Sequence, residues 1–549
     1  MKLSKSVIAM LLPLALTACQ STTSSVDEYT LDSTSSAFSN TFKPYRNDTG
    51  VVDKFADLRI YQVMVESFQN GDDSRNYDTG YGPSDHKGDI KGIINAIPYI
   101  KDLGMNAIWL TPIFESAKED EKNPSMLDAT GYYTRNYYKV DRRFGDENTL
   151  KELVDTAHAH GLYVFLDGVF GHFRDDLVNT SPKGNKVTIT KKCLGGNLQP
   201  YEPPKNTSCA NFEDDGSSQK YMEEVARYYV KNFKIDGWRL DQAYQVPPIV
   251  LASIKKAVTD ESSKVTYKDL KGEIVHPLAY LVGEIWSDNN TIRERGYGSD
   301  KEPILDSNFD FGLRYGLVQA FAMEEWGKKD NSAFRIHEAL KYDENNLPSH
   351  AYPNLMITNH DLLRFGDLIQ RAKYDDTYQN RIEIALSYLA IAHSGPITHY
   401  YGEEIGQEVP NFADRKDQMG YYDDHVARDN GKIANFTAQE QKTHDLLKFL
   451  MNLRSKHGSI SNGKLEFVKL NRNIFAIKKT FKVDADIYYI LNLSTHDSAK
   501  FNLTKDLVGN HELYKLDVNG NTKLTKNTLD EFEVTVKPLS FAVLSTSKD

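Results

Sequence analysis

The side chains best suited to move protons and attack carbon centres fall into four clusters: Asp167 with His172, Arg239 with Asp241, Glu284 alone, and His360 with Asp361. Two carboxylates about 5–5.5 Å apart can perform retaining glycoside hydrolysis, one attacking the anomeric carbon while the other protonates the leaving oxygen. An arginine within ~4–6 Å of Asp241 would hold that acid ionised, whereas an apolar setting such as Trp286 would raise the pKa of Glu284 and keep it protonated. Taken alone, the run Gly237-Trp238-Arg239-Leu240-Asp241-Gln242 is also what a structural ion pair at a strand end looks like. Several acids on one rim, however, would repel one another without a function to hold them together.

The clusters have to be brought together by the elements that carry them. Ile235 to Leu240 reads as a buried strand, preceded by a helix whose Met222, Val225, Tyr229 and Phe233 recur at three- and four-residue steps. Similar strands are expected at Ile60–Phe68, Ala107–Pro112, Tyr163–Val169, Leu281–Trp286, weakly near Phe309 and Phe311, Leu355–Thr358 and Pro396–Tyr401. Eight strands alternating with amphipathic helices over about 350 residues predict an α/β fold, a (β/α)8 TIM barrel whose active-site groups lie at the C-terminal strand ends. One crossover helix shows the local signals: Asp146 as cap, Leu150, Leu153, Val154 and Ala157 on the buried face, and Gly161 at the left-handed end.

The barrel is expected over residues 54–459. A small domain inserted at about 173–217, after the third strand, is too long and too rich in Pro and Gly for a simple loop. Period-two alternation through Phe467–Ile477, Ile487–Leu493 and Phe532–Val536 predicts a C-terminal antiparallel β-sandwich domain over 460–549.

The chain has 549 residues, 40% hydrophobic and 26% charged, an ordinary globular composition with room for two or three domains. A net charge of −11 argues against nucleic acid, which needs clustered cations. A neutral polymer is a compatible partner, and the 32 Tyr and 25 Phe suit both core filling and stacking on sugar faces.

Residues 1–19 read as a targeting segment: Lys2 and Lys5, an apolar run from Val7 to Leu16, then Leu16-Thr17-Ala18-Cys19. The run falls short of the ~20 apolar residues of a membrane-spanning helix. Residues 20–53 are Ser/Thr-rich without a steady period and read as a flexible tether. Export would place Cys193 and Cys209 in an oxidising compartment, where a disulfide is expected, closing a loop of about 15 residues for about 3 kcal/mol. Two free thiols are the alternative, and neither cysteine has a nearby Cys or His at zinc-ligand spacing.

Four stretches resemble the signature regions of the α-amylase family, glycoside hydrolase family 13, in order and spacing: Asp167-Gly-Val-Phe-Gly-His172, Gly237-Trp-Arg-Leu-Asp241, Gly283-Glu-Ile-Trp286 and Thr358-Asn-His-Asp361. The resemblance extends through Gly88–Ile93, Ala107–Pro112, Gly131-Tyr132, Asp141–Gly145 and Tyr400–Glu403, covering nearly all of residues 55–460. It implies Asp241 as nucleophile, Glu284 as general acid/base, and Asp361 as a third carboxylate gripping sugar hydroxyls. Arg239 would orient Asp241, His172 and His360 would donate to hydroxyls, and Tyr132 would be a stacking platform. The implied activity is hydrolysis of α-1,4 bonds in starch-derived maltodextrins through a covalent glycosyl-enzyme. A transglycosylating cyclomaltodextrinase or cyclodextrin glucanotransferase is the alternative, and a non-catalytic glucan-binding surface protein is the alternative of a different class.

The N-terminus resembles a bacterial lipoprotein signal, with Cys19 lipidated and Gln20 directing the protein to the outer membrane. Two positions depart from the family pattern: Gly171 stands where Asn is usual, and Tyr244-Gln245 where Lys-His is usual. Both belong to the usual calcium site between barrel and inserted domain, which makes that site doubtful here. A second loop, Asn70-Gly71-Asp72-Asp73-Ser74-Arg75-Asn76, resembles the calcium loop of cyclodextrinase-like members. The resemblance implies calcium held by Asn70, Asp72, Asn76 and Asp89.

Overall fold

The computed structural model describes residues 50–76, 79–80, 82–118, 129–409, 426–516, 520–529 and 531–548. The targeting segment, Cys19 and the expected tether up to residue 49 lie outside the described residues. Asp53, placed in the tether by composition, is part of the body: its backbone N–H donates to Asn462, and its carboxylate accepts from Tyr352 and from the N–H groups of Phe55 and Ala56.

Eight parallel strands form the barrel: Arg59–Val63, Ala107–Leu110, Tyr163–Gly168, Gly237–Leu240, Tyr280–Gly283, Ser307–Phe309, Tyr352–Asn354 and Ile397–Tyr400. They pair in chain order, the first strand pairs with the eighth, and a parallel bridge between Leu355 and Ile397 joins the seventh to the eighth. Most of their residues are buried, as expected where a parallel sheet is covered on both faces. The seventh strand begins three residues earlier than its apolar run predicted; beyond it Leu355 keeps a bridge to the eighth strand, and Met356 and Ile357 pack into the core. Gly237 opens the fourth strand because a Cβ there would meet Tyr280 O at 1.8 Å.

Helices return the chain between strands as the periodicity predicts. In Glu147–Ala159, Asp146 accepts the Thr149 N–H and Leu150, Leu153, Val154 and Ala157 are buried. In Ser217–Phe233, Met222, Val225, Tyr229 and Phe233 face inward. After the third strand, His172–Arg174 pairs antiparallel with Thr207–Ala210, which pairs with Ile189–Thr190. Beside them Cys193–Leu194 and Pro200–Tyr201 form a short hairpin, and Cys193 and Cys209 are disulfide-bonded.

From Lys464 the chain builds a five-stranded and a three-stranded antiparallel sheet. The stretch Phe467–Ile477 is a hairpin rather than one strand: Asn471 breaks it, its side chain accepting the N–H groups of Asn473 and Ile474 in an Asx turn. One face of the larger sheet, with Phe475, Ile477, Tyr489 and Phe541, joins the apolar core of the barrel. Ala476, Tyr488, Ile490 and Leu544 belong to a separate core shared with Val534 and Val536 of the smaller sheet.

Candidate active site

The barrel gathers the predicted cluster around one guanidinium. Arg239, fully buried on the fourth strand, places Nη1 2.8 Å from both oxygens of Asp167 and 2.7 Å from Asp241 Oδ1, and Nη2 2.8 Å from Glu284 Oε1. Register explains the convergence: Arg239 is paired with Asp167 on the third strand and with Val282 on the fifth, so the acids just beyond these positions share a rim. Trp109 lies 5.0 Å from the guanidinium on another side.

The two acids expected to react sit in different environments. Asp241 Oδ1 is held by Arg239, whereas its buried Oδ2 has no hydrogen-bond partner among the described residues and has His172 Nε2 3.8 Å away. Glu284 Oε2 accepts the backbone N–H of Gln242 at 3.0 Å, which the left-handed turn at Gln242 (φ 40°, ψ 49°) presents. Burial pushes the Glu284 carboxyl up to about 8, against the opposing pull of Arg239. Burial likewise lifts Asp167 to about 7, with Arg239 opposing and the charge of Asp241 adding to the rise. Trp286, the apolar neighbour expected beside Glu284, lies with its ring parallel to Phe311, donates its indole N–H to Tyr315 and is 37% exposed.

Asp361 is the opposite case. Burial disfavours its charge, but His360 Nε2 at 3.0 Å and Arg428 Nη2 at 2.7 Å outweigh burial and hold it well below the ordinary carboxylate range. The side-chain amide of Gln62 lies 2.7 Å from His360 Nδ1. Burial first, against the pull of Asp361, lowers the His360 pKa. Tyr132 stacks on His360 with centroids 5.2 Å apart and donates its hydroxyl to Asp167 at 2.9 Å. Asp241, Glu284, Asp361, Tyr132, His172, Arg239 and His360 thus form one site.

Two of its members, Gln62 and Arg428, were not singled out from the sequence. Asp167 was noted as a strand-end acid but carries two of the Arg239 contacts; Gln62 and Arg428 carried no motif, and only folding brings them to His360 and Asp361.

The loop expected to hold calcium, an ion that takes about six to eight oxygen ligands, lies away from this site, and its acids are paired within the protein. Asp89 uses Oδ1 to accept from Gly92 N–H and Oδ2 to accept from Gly71 and Asp72 N–H. Asp72 Oδ1 accepts from Ser74, and the amides of Asn70 and Asn76 both donate to Asp73. The cation among these oxygens is the Arg75 guanidinium, which reaches Asp72, Asp146 and the carbonyls of Arg142 and Gly145 at 2.8–3.1 Å. Among the described residues no group of three or more His, Cys, Asp or Glu side chains is arranged to hold a metal.

An eight-stranded barrel carrying a nucleophile-type and an acid-type carboxylate on one arginine at its C-terminal rim defines a glycoside hydrolase site. The chain belongs to the alpha-amylase family: the model of the alpha-amylase catalytic domain matches residues 62–186 and 211–492. A cyclomaltodextrinase of Thermoanaerobacter pseudethanolicus is 26% identical, over 84% of this chain and 74% of its own. The intracellular maltogenic amylase of Bacillus subtilis is 25% identical, over 89% and 76%. The crystal structure of AmyP in complex with maltose is 40% identical, with a TM-score of 0.81, covering 90% of this chain and 98% of that one.

Proposed function

We propose that this enzyme hydrolyses α-1,4-glucosidic bonds in starch and maltodextrins by double displacement. The observation that carries the mechanism is the free, buried Oδ2 of Asp241, beside an acid that burial keeps protonated on the same guanidinium. Glu284 donates its proton to the glycosidic oxygen as Asp241 Oδ2 attacks the anomeric carbon; the C–O bond to the leaving sugar breaks and an aspartyl ester forms. Glu284, now a carboxylate, takes a proton from the attacking water, and Asp241 leaves. Asp361, held ionised, accepts from sugar hydroxyls. The structures of AmyP with maltose and of an AmyP variant with maltotriose support the substrate class.

Asp241→Asn is expected to lower kcat on maltoheptaose by at least ~10⁴-fold, since the covalent route disappears. Bound maltodextrin with unchanged turnover in that variant would instead make the protein a binding module. The cyclomaltodextrinase relative favours a second reading, action on cyclic substrates. Products from soluble starch, cyclodextrins and maltoheptaose separate the two: ring opening adds cyclodextrins to the substrates, and cyclic products from starch overturn simple hydrolysis.

Export and lipid anchoring at Cys19 complete this reading. They are supported by the basic start, short apolar run and Leu16-Thr17-Ala18-Cys19 of the N-terminus. Cys19→Ser should move the protein from the membrane fraction to the soluble one, and an unchanged distribution would refute the anchor.

A further inference from the structure

Gln245 occupies a space that exists because residue 171 is glycine. A Cβ on Gly171 would meet Gln245 Oε1 at 2.4 Å and Gln245 Cβ at 2.6 Å. The backbone at Gly171 is not in the left-handed region, so room, and not conformation, is what the glycine supplies. Gln245 is 7% exposed and its amide is fully engaged. Nε2 lies 2.9 Å from Gln242 Oε1 and 3.2 Å from the Tyr201 hydroxyl, while Gln242 Oε1 also accepts from Tyr244 at 2.8 Å. These partners assign the amide nitrogen to that side. Oε1 therefore faces His172 Nδ1 at 2.9 Å, which has to donate to it. In the neutral ring His172 then presents a bare Nε2 toward the cleft, 3.8 Å from Asp241 Oδ2, which has no hydrogen-bond partner among the described residues. Two acceptors facing each other across that gap call for a hydroxyl donor between them.

We propose that Gln245 is a positioning residue acting through His172: it fixes the imidazole proton on Nδ1, so that Nε2 accepts the proton of a hydroxyl of the bound sugar next to the nucleophile. His172 is thereby an acceptor for the sugar, where the family resemblance implied a donor. Through Tyr201 the same amide ties the cleft to the hairpin stapled by Cys193 and Cys209, so the inserted region braces a group within reach of the reacting carboxylate. The proposal rests on the glucan-hydrolase reading above.

The test is a double-mutant cycle on maltoheptaose hydrolysis, with thermal melts to show that every variant folds. Gln245→Met keeps the side-chain length but removes the acceptor, and should lower kcat about tenfold with KM little changed, the value of one lost hydrogen bond. In a His172→Ala background the same substitution should cost almost nothing further, because its target is gone. Gly171→Ala, which displaces Gln245 without altering either partner, should reproduce the kcat loss. Additive losses in the cycle, or a loss confined to KM, would overturn the proposal. An inactive wild-type protein would sink the glucan-hydrolase reading instead, so the two failures are distinct.

Discussion

At the scale of single residues, the division of labour rests on environment, because chemically similar carboxyls differ in what surrounds them. Asp361 has two cationic or proton-donating neighbours, while Glu284 has one cation against full burial. Glu284 acts as an acid only while protonated, so activity is present below its raised pKa and is lost as pH climbs through it. The alkaline limb of kcat/KM should therefore fall at about pH 8. A limb near the ordinary carboxylate range would show that Glu284 is not held protonated. Asp367, away from the site, has a buried Oδ2 without a partner among the described residues, and burial pushes it up to about 8. The stability it confers is full below the ordinary carboxylate range and is lost as pH rises to about 8. Asp367→Asn should flatten that loss, read as a Tm that holds between pH 5 and 9 while the wild-type value declines.

At the scale of elements, the loop after the first strand shows how sequence resemblance and folded geometry part. Its run of oxygens resembles a calcium loop, and an arginine inside the loop lies at hydrogen-bonding distance from Asp72, Asp146 and two carbonyls. The guanidinium cross-links this loop to the start of helix Glu147–Ala159. Arg75→Ala should lower stability by about 1 kcal/mol, the scale of a part-exposed ion-pair network, while a chelator leaves the wild-type melt unchanged. A chelator-induced fall in the wild-type Tm would put a metal back into that loop.

At the scale of the molecule, the C-terminal sheet shares one apolar core with the barrel. Lys479, fully buried on that sheet, donates to the carbonyls of Ile391, Ala392 and Ile460. Burial first, then the nearby Arg454, drive its ammonium well below the usual lysine range. Lys479→Met leaves those carbonyls unsatisfied and should cost about 1–3 kcal/mol. Because the core is continuous, calorimetry should show one transition, shifted down in the variant; two separate transitions would mean that barrel and C-terminal sheets unfold independently.

The sequence by itself determined the barrel, its eight strands and the catalytic carboxylates, because strand burial and helix period are local signals and Asp241, Glu284 and Asp361 each follow a recognisable strand end. It also determined that Gly171 and Gln245 are unusual, though not why. Only the tertiary structure decided that those two are matched in space, that Gln62 and Arg428 serve His360 and Asp361, and that Arg75 answers the acids of its own loop. These facts are contacts between distant segments or choices among competing hydrogen-bond partners. No periodicity along the chain encodes them, and each is settled only when packing fixes which donor reaches which oxygen.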